Sequence, residues 1–501
     1  MKKIIIFILM LVVCKAYSQI PFTFDRNIEA NTNRIDESQV EILDGQEKMR
    51  RLFFIHGLGG DASSWSKVPD ACQNSELNIA GFPARKCLAT TLDYSHATAA
   101  SLHYAAMTAR DQISAVNLVD NSARKMNPRS AIMIGHSQGA MVARAILHNE
   151  TLGYPRPVWN KDFGGAIFIA GPLQGAAILN NRDYIPYMLN HACVSLTSAQ
   201  KDKRFLNGLL KAVLGRDYLS NACEYLSFDI LPIFFNKYYD NITKDYLVGS
   251  EYLRVMDEDE HDKEYCETPK IAFYCVEPQS KIFWRTVQWL VNDPNKENYF
   301  SANEDLTFYK EKILPIEMDY RMTLAAAQTQ LNSLNSNSLW FYLSGMGIPY
   351  YLLKKNKLEN TISSYTPGVR WFEEIDEQWQ TLIGAVEFVP KANVIHVCSC
   401  PGIPPYVVPG PEYCVRAGCQ AVSLSTIVYQ KIVHENDGIV CAETAKHLKC
   451  PTSEPVRISE TFLNKNQGSS HMQIRNDYGI KMHLNKAFEG DYGRFFKITT
   501  W

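Results

Sequence analysis

The chain has 501 residues, 46% of them hydrophobic, and its 51 Lys+Arg against 53 Asp+Glu leave a net charge of −2. That balance excludes the electrostatic footprint of a nucleic-acid binder, and the composition excludes a disordered or fibrous chain. The length exceeds what one ordinary core holds, so more than one folded region is expected.

The N-terminus reads Met1-Lys2-Lys3, then an uncharged run from Ile4 to Val13, then Ala16-Tyr17-Ser18-Gln19. A basic start, a short apolar run and small residues two apart describe a secretory signal, residues 1–18, cut after Ser18. The run is too short to span a bilayer. A lipoprotein acylated at Cys14 is the competing expectation, although Val13 stands where a small residue normally precedes such a cysteine. No later stretch approaches a membrane span, so the mature protein is expected to be secreted or periplasmic. Of 13 cysteines, 12 remain once Cys14 leaves with the signal, and an oxidising compartment favours their pairing. Neighbouring pairs are Cys72/Cys87, Cys193/Cys223, Cys266/Cys275 and Cys441/Cys450. Cys398 and Cys400 would then pair with Cys414 and Cys419. The C-x-C spacing at Cys398-Ser399-Cys400 does not suit zinc, and no metal or cofactor is expected.

After a polar lead-in, Arg51 to Ile55 reads as a buried strand running into the glycine loop His56-Gly57-Leu58-Gly59-Gly60, with a short helix over 62–72. A second strand suits 85–92. Leu102, Ala105, Ala109, Ile113, Val116 and Val119 carry helical spacing across 101–127, before Pro128. The apolar run Ala131 to Ile134 then ends in Gly135-His136-Ser137-Gln138-Gly139, followed by the helix-like 141–147, and another strand covers 164–171. Strand and helix alternate throughout, which predicts a parallel sheet covered on both faces.

The pattern breaks after Pro172. Helix-like segments lie at 205–214, 281–291 and 322–331, with aromatic pieces at 231–235 and 339–343 and an acidic run at 257–264 that reads as a solvated turn rather than a calcium loop. Strand character returns at 393–397 and 423–433, then at 451–458. His471 follows in a late loop, before a last helix over 477–487. The chain thus divides into 1–18, a first part of the core at 19–172, an insertion or cap at 173–391, and a second part of the core at 392–501.

A strand, a sharp glycine turn tipped by serine and a helix form a nucleophile elbow. A serine hydroxyl needs a base held by a carboxylate, and the elbow predicts the order Ser, then Asp or Glu, then His. Ser137, Asp437 and His471 fit that order. Glu435 is the alternative acid. His447 and His483 are rival bases in helix-like contexts, and His396 reads as a core residue of a strand. His136 packs beside the nucleophile and positions the elbow. Two oxyanion donors are expected, the N–H of Gln138 and that of Leu58, with Gly59 as the alternative to Leu58.

The segments 54–60, 135–139, 436–440 and 470–472 resemble those of α/β-hydrolases of the secreted bacterial lipase and esterase type. The resemblance covers roughly 50–172 and 392–501. It implies a mostly parallel sheet flanked by helices, with a large, mainly helical insertion after the strand at 164–171 that forms a cap or lid. It also implies Ser137 as nucleophile, Asp437 as acid, His471 as base, and Leu58 and Gln138 as oxyanion donors. The expected activity is hydrolysis of carboxylic esters with a lipid or other acyl-ester substrate, transient contact with a lipid interface, and no nucleic acid or partner protein. A phospholipase, amidase or acyltransferase on the same fold is the alternative, as is a binding protein that has lost catalysis.

Overall fold

The computed structural model describes residues 49–65, 68–73, 85–98, 100–124, 130–151, 163–181, 244–259, 268–291, 306–307, 309–343, 347–400, 403–408, 411–447, 453–457, 470–472, 474–476 and 478–500. They form two compact units. One comprises 1–384 and 435–501, and the other is Ala385–His434.

The larger unit is built on a six-stranded sheet of β1 (Arg50–Ile55), β2 (Cys87–Leu92), β3 (Ile132–His136), β4 (Gly165–Ile169), β5 (Lys270–Tyr274) and β9 (Ser453–Arg457). The spatial order is β2-β1-β3-β4-β5-β9, and every pairing is parallel. The chain steps from β1 to β2 on one side and then crosses to β3 on the other. Such a switch point opens a crevice at the carboxyl ends of the two central strands.

The apolar residues explain the layering. Phe53, Ile55, Met133, Phe168 and Ala272 point to one face, where they meet α1 (Leu102–Arg124), α2 (Gln138–Thr151) and α3 (Glu251–Asp259). Leu52, Phe54, Ile132, Ile134, Ile167 and Phe273 point to the other and meet the C-terminal helix, Tyr478–Glu489, through Ile480, Leu484 and Phe488. With both faces covered, these strands are apolar at successive positions rather than alternating.

Further helices follow β5: α4 (Ile282–Val291), α5 (Leu314–Ser336), α6 (Ser338–Leu343) and α7 (Gly347–Leu382). The Tyr478–Glu489 helix is α8. Helices α5 and α7 form a long hairpin. Its base packs on α4 through Trp284, whose ring lies 5.8 Å from that of Trp371. Asp376 also accepts the backbone N–H groups of Lys281 and Phe283, each at 3.1 Å.

The second unit is an antiparallel ribbon, β7 (Ile403–Val408), β6 (Val386–Cys400) and β8 (Gln420–Val433), in the order β7-β6-β8. It carries the disulfides Cys398–Cys414 and Cys400–Cys419, as the spacing of those four cysteines suggests.

The strands expected at 85–92, 164–171 and 451–458 and the helices expected at 101–127, 281–291 and 477–487 are present. Two expectations are corrected. The strands at 393–397 and 423–433 do not restart the parallel sheet, because they pair with each other in the ribbon, Ile395 opposite Leu424. Nor is a Cys72–Cys87 bridge formed: the Cys87 thiol donates to the Cys72 carbonyl at 3.1 Å. The region 173–391, expected to be mainly helical, also contributes β5 to the parallel sheet. Cys193, Cys223, Cys266 and Cys450, the helix at 205–214 and the aromatic piece at 231–235 lie outside the described residues, as do 1–48.

Candidate active site

The elbow is built by steric necessity. Ser137 adopts φ 55°, a left-handed conformation costly for a side chain and found where a fold requires it. The glycines on either side allow the crossing. A Cβ on Gly135 would lie 2.3 Å from the carbonyl oxygen of Gly139, and one on Gly139 would lie 2.3 Å from that of Ile55. Helix α2 can therefore press against the end of β1 only with glycine at both positions. The Ser137 N–H donates to Ile169 O at 2.9 Å, tying the turn to β4. Gln138 opens α2, where first-turn N–H groups lack helical partners and the helix dipole is positive.

Ser137 Oγ lies 2.8 Å from His471 Nε2, and His471 Nδ1 lies 2.8 Å from Asp437 Oδ2. Asp437 and His471 are each 3% exposed. The His471 N–H also donates to the Asp437 carbonyl at 3.0 Å, so backbone and side chain both hold the pair in register. The other Asp437 oxygen, Oδ1, accepts the N–H groups of Ile439 (3.0 Å) and Val440 (2.7 Å). Those two bonds fix the carboxylate so that Oδ2 faces the imidazole.

The acid loop rests on the end of β5, the strand hidden from the sequence reading. Glu277 N–H donates to Asn436 O at 2.9 Å, and the Cys275 thiol lies 3.8 Å from Asp437 Oδ2. Gly438 takes φ 93°, and a Cβ there would meet Thr286 Oγ1 at 2.4 Å. Its carbonyl lies 3.2 Å from Thr286 Oγ1 and accepts Trp379 Nε1 at 2.7 Å. Sequence alone offered no signal for Cys275, Thr286 or Trp379, because their roles come from contacts 59 to 162 residues distant in the chain.

His136 is at the site but does not touch Ser137 Oγ. Its Nε2 donates to the carbonyl oxygen of His471 at 2.8 Å, and the two rings lie 5.1 Å apart. Burial, and then the neighbouring His471 and Arg475, hold its imidazole well below the ordinary histidine range. It is therefore neutral, with the proton on Nε2.

The glycine loop after β1 faces the elbow across the switch point. Gly60 N–H closes a turn onto Gly57 O at 3.1 Å and leaves the Leu58 N–H outside that bond. His56 is fully buried, stacked on Tyr94 at 4.3 Å, and burial lowers its pKa. Leu58, Ser137, Gln138 and His471 all line one cavity of about 110 Å³. Met141, Ile178, Leu179, Ile439, Val440 and Met472 give it an apolar wall.

The rival residues are engaged elsewhere. Glu435 is exposed, while its backbone carbonyl accepts Ala442 N–H at 2.9 Å. His447 is buried between Gln174 Nε2 (2.6 Å) and Asp257 Oδ1 (3.2 Å). His483 lies on α8, 2.8 Å from Tyr492 Oη. His396, expected in a core, is on the ribbon with Nδ1 3.0 Å from Ser423 Oγ. Asp257, at the start of the acidic run, lies in a helix rather than a solvated turn. Its helix presents it to Arg144 and His447, which overcome the cost of its burial and hold the carboxyl below the usual range. Leu339, Phe341 and Leu343 of the aromatic piece are not among the residues that line the cavity.

Residues 52–249 match the sequence profile described as Alpha/beta hydrolase family. No curated protein matches the chain. Among solved structures it is similar to phospholipase PlaB from Legionella pneumophila, at 13% identity and TM-score 0.28, over 48% of this chain and 41% of that one. It is also similar to the peroxisomal alpha-beta-hydrolase Lpx1 from Saccharomyces cerevisiae, at 12% identity and TM-score 0.24, over 45% and 62%. A lipase-esterase related protein from Clostridium acetobutylicum follows at 11% identity and TM-score 0.19, over 45% and 73%. The chain thus spans less than half of the first of these proteins and about three-fifths of the second. With its covered parallel sheet, a serine elbow between β3 and α2, and the family match across 52–249, the chain has an α/β-hydrolase fold.

Proposed function

We propose that this protein is an exported serine hydrolase of carboxylic esters, lipase-like in its preference for an apolar acyl group. The observation that carries the reading is the hydrogen-bonded series Ser137–His471–Asp437, opening onto an apolar cavity. In this reading Ser137 Oγ attacks the ester carbonyl while His471 Nε2 takes its proton. Asp437 holds the Nδ1–H tautomer and stabilises the imidazolium. The oxyanion of the tetrahedral intermediate receives the N–H groups of Gln138 and Leu58, each worth about 3 kcal/mol of barrier. His471 then protonates the departing alcohol, leaving an acyl-Ser137 that water, deprotonated by the same histidine, hydrolyses.

The aliphatic wall of Met141, Ile178, Leu179 and Ile439 suits an acyl chain better than a polar acyl group. Export rests on the signal-like residues 1–18 and agrees with two disulfides in the ribbon. Among the described residues no helix is long and apolar enough to cross a membrane.

A panel of p-nitrophenyl esters from acetate to palmitate tests the activity, run with the parent and Ser137→Ala. Turnover that rises with chain length and disappears in Ser137→Ala is expected, together with fluorophosphonate labelling on Ser137. Full-rate hydrolysis by Ser137→Ala, or failure of the probe to label folded protein, overturns the reading.

A further inference from the structure

The far end of the α5–α7 hairpin carries a surface that neither the cavity nor the hairpin's own core uses. Between Arg321 and Lys354 the sequence contains no charged residue, in a chain that is 21% charged overall. Lys354, Lys355 and Lys357 then follow before the next acid, Glu359. The tip is a folded object. Ala327, Leu334, Tyr351 and Leu358 form its core, with Leu331, Phe341 and Ile362 packed against them. Phe341 lies 6.1 Å from the ring of Tyr350 and 5.9 Å from that of Tyr351, whose hydroxyl donates to Asn335 Oδ1 at 3.0 Å.

That core leaves other large apolar side chains outside. Leu339 is 70% exposed, Leu343 79% and Leu353 71%, and Tyr350 and Leu352 are exposed with them. Leu339 and Leu343 stand four residues apart on α6, on one face of that short helix. Lys354 Nζ lies 5.7 Å from the centre of the Tyr350 ring, so at least one ammonium borders the apolar patch.

We infer that this tip docks on an anionic lipid surface. The combination of exposed leucines, an interfacial tyrosine and bordering lysines, with no acidic side chain in the uncharged stretch, matches what such a surface offers. Leucines enter the acyl boundary, tyrosine sits at the headgroups, and lysines reach the phosphates along their methylene stems. A second copy of the chain is a poorer fit. A two-fold contact through this patch offers its lysines no acidic partner from the uncharged stretch, because an isologous interface presents the same residues from both sides. The tip lies on the membrane rather than through it, since no described helix can span one.

The inference does not rest on the ester-hydrolase reading. Roughly 40 Å of helix, at about 1.5 Å per residue, separates Tyr350 from Trp379 at the acid loop. Binding can therefore be read without turnover. Full-length Ser137→Ala protein is sedimented with vesicles of phosphatidylcholine, alone or mixed with phosphatidylglycerol. Binding to the mixed vesicles that weakens with added salt is expected. Leu343→Ser/Leu353→Ser should weaken binding to both vesicle types. Lys354→Glu/Lys357→Glu should weaken binding to the anionic vesicles by at least about 25-fold, at about fivefold per lysine, and leave the neutral ones unchanged. Both variants should keep the parent's melting temperature, since the substituted side chains lie outside the packed core. No binding by the parent overturns the inference, and so does binding that ignores these substitutions. A dimer that Leu343→Ser/Leu353→Ser dissociates also overturns it, by assigning the patch to a second copy.

Discussion

Trp379 donates its indole N–H to the carbonyl of Gly438 at 2.7 Å, so the longest helix after β5 braces the residue that follows Asp437. The same carbonyl lies 3.2 Å from Thr286 Oγ1 on α4, whose one hydroxyl proton it shares with Ile282 O at 3.0 Å. Two separate helices thus fix one peptide unit of the acid loop, and Asp437 inherits its position from them.

Trp379→Phe keeps an aromatic ring against Phe283, now 5.5 Å away, and removes only the donor. Loss of one such bond costs about 1 kcal/mol while Thr286 still serves the carbonyl. The expected result is a kcat several-fold lower with KM nearly unchanged. Adding Thr286→Val leaves the buried carbonyl unserved, so the double variant should lose more stability than the two single variants combined. Simple additivity in urea unfolding would show that the two donors do not share this task.

Stability should fall with acid across a defined window. Burial, and then Lys486, pushes the His483 imidazole down to about 4 from an ordinary 6.5, and burial also lowers His56 and His136. Between those values the unfolded chain binds protons that the folded chain excludes. The contribution is therefore complete above pH 6.5 and is lost as pH falls toward 4. For His483 alone it amounts to about 3 kcal/mol at most. Carboxylates such as Asp257, held below their usual range, add an acid loss of the same sign, so the comparison that isolates His483 is with His483→Gln. Urea midpoints measured from pH 8 to 4 should fall less steeply in that variant, and parallel curves would rule His483 out as a source of the slope.

The first half of the sheet was legible because its strands are short apolar runs ended by glycine. Strands β1, β3 and β4 each announce themselves in this way, and the turn at 135–139 has little choice but to be an elbow. Ser137, Asp437 and His471, named from order alone, lie in one hydrogen-bonded series. What periodicity could not say is which sheet a strand joins. Strands β6 and β8 are weakly charged and strand-like, as core strands are, yet they pair with each other. Conversely β5 begins with Lys270 and runs only five residues, so nothing in its pattern competes with the helical region around it. Helix α7 mixes charged, aromatic and small residues and contains Pro367, which disguises 36 residues of continuous helix. Its place becomes evident only when Trp379 is seen at Gly438.

His136 was read as packing beside Ser137, yet its hydrogen bond goes to His471. The Nε2–H holds the His471 carbonyl, while Nδ1 is buried with no hydrogen-bond partner among the described residues. A protonated ring would bury an unsatisfied N–H, consistent with a strongly depressed pKa. Its service to His471 is thus a single donated bond from a neutral ring. His136→Phe preserves the ring but leaves the His471 carbonyl unserved, at a cost of about 1–3 kcal/mol. A shift of the imidazole by about 1 Å is enough to lose up to 100-fold in rate, so kcat should fall by about 10- to 100-fold. KM should hold, because the apolar wall of the cavity is unchanged, and fluorophosphonate labelling of Ser137 should slow in proportion. His136→Gln can return an N–H to the carbonyl and should recover part of the loss, whereas a variant that merely filled space could not. Equal kcat in the parent and His136→Phe would reduce His136 to packing alone.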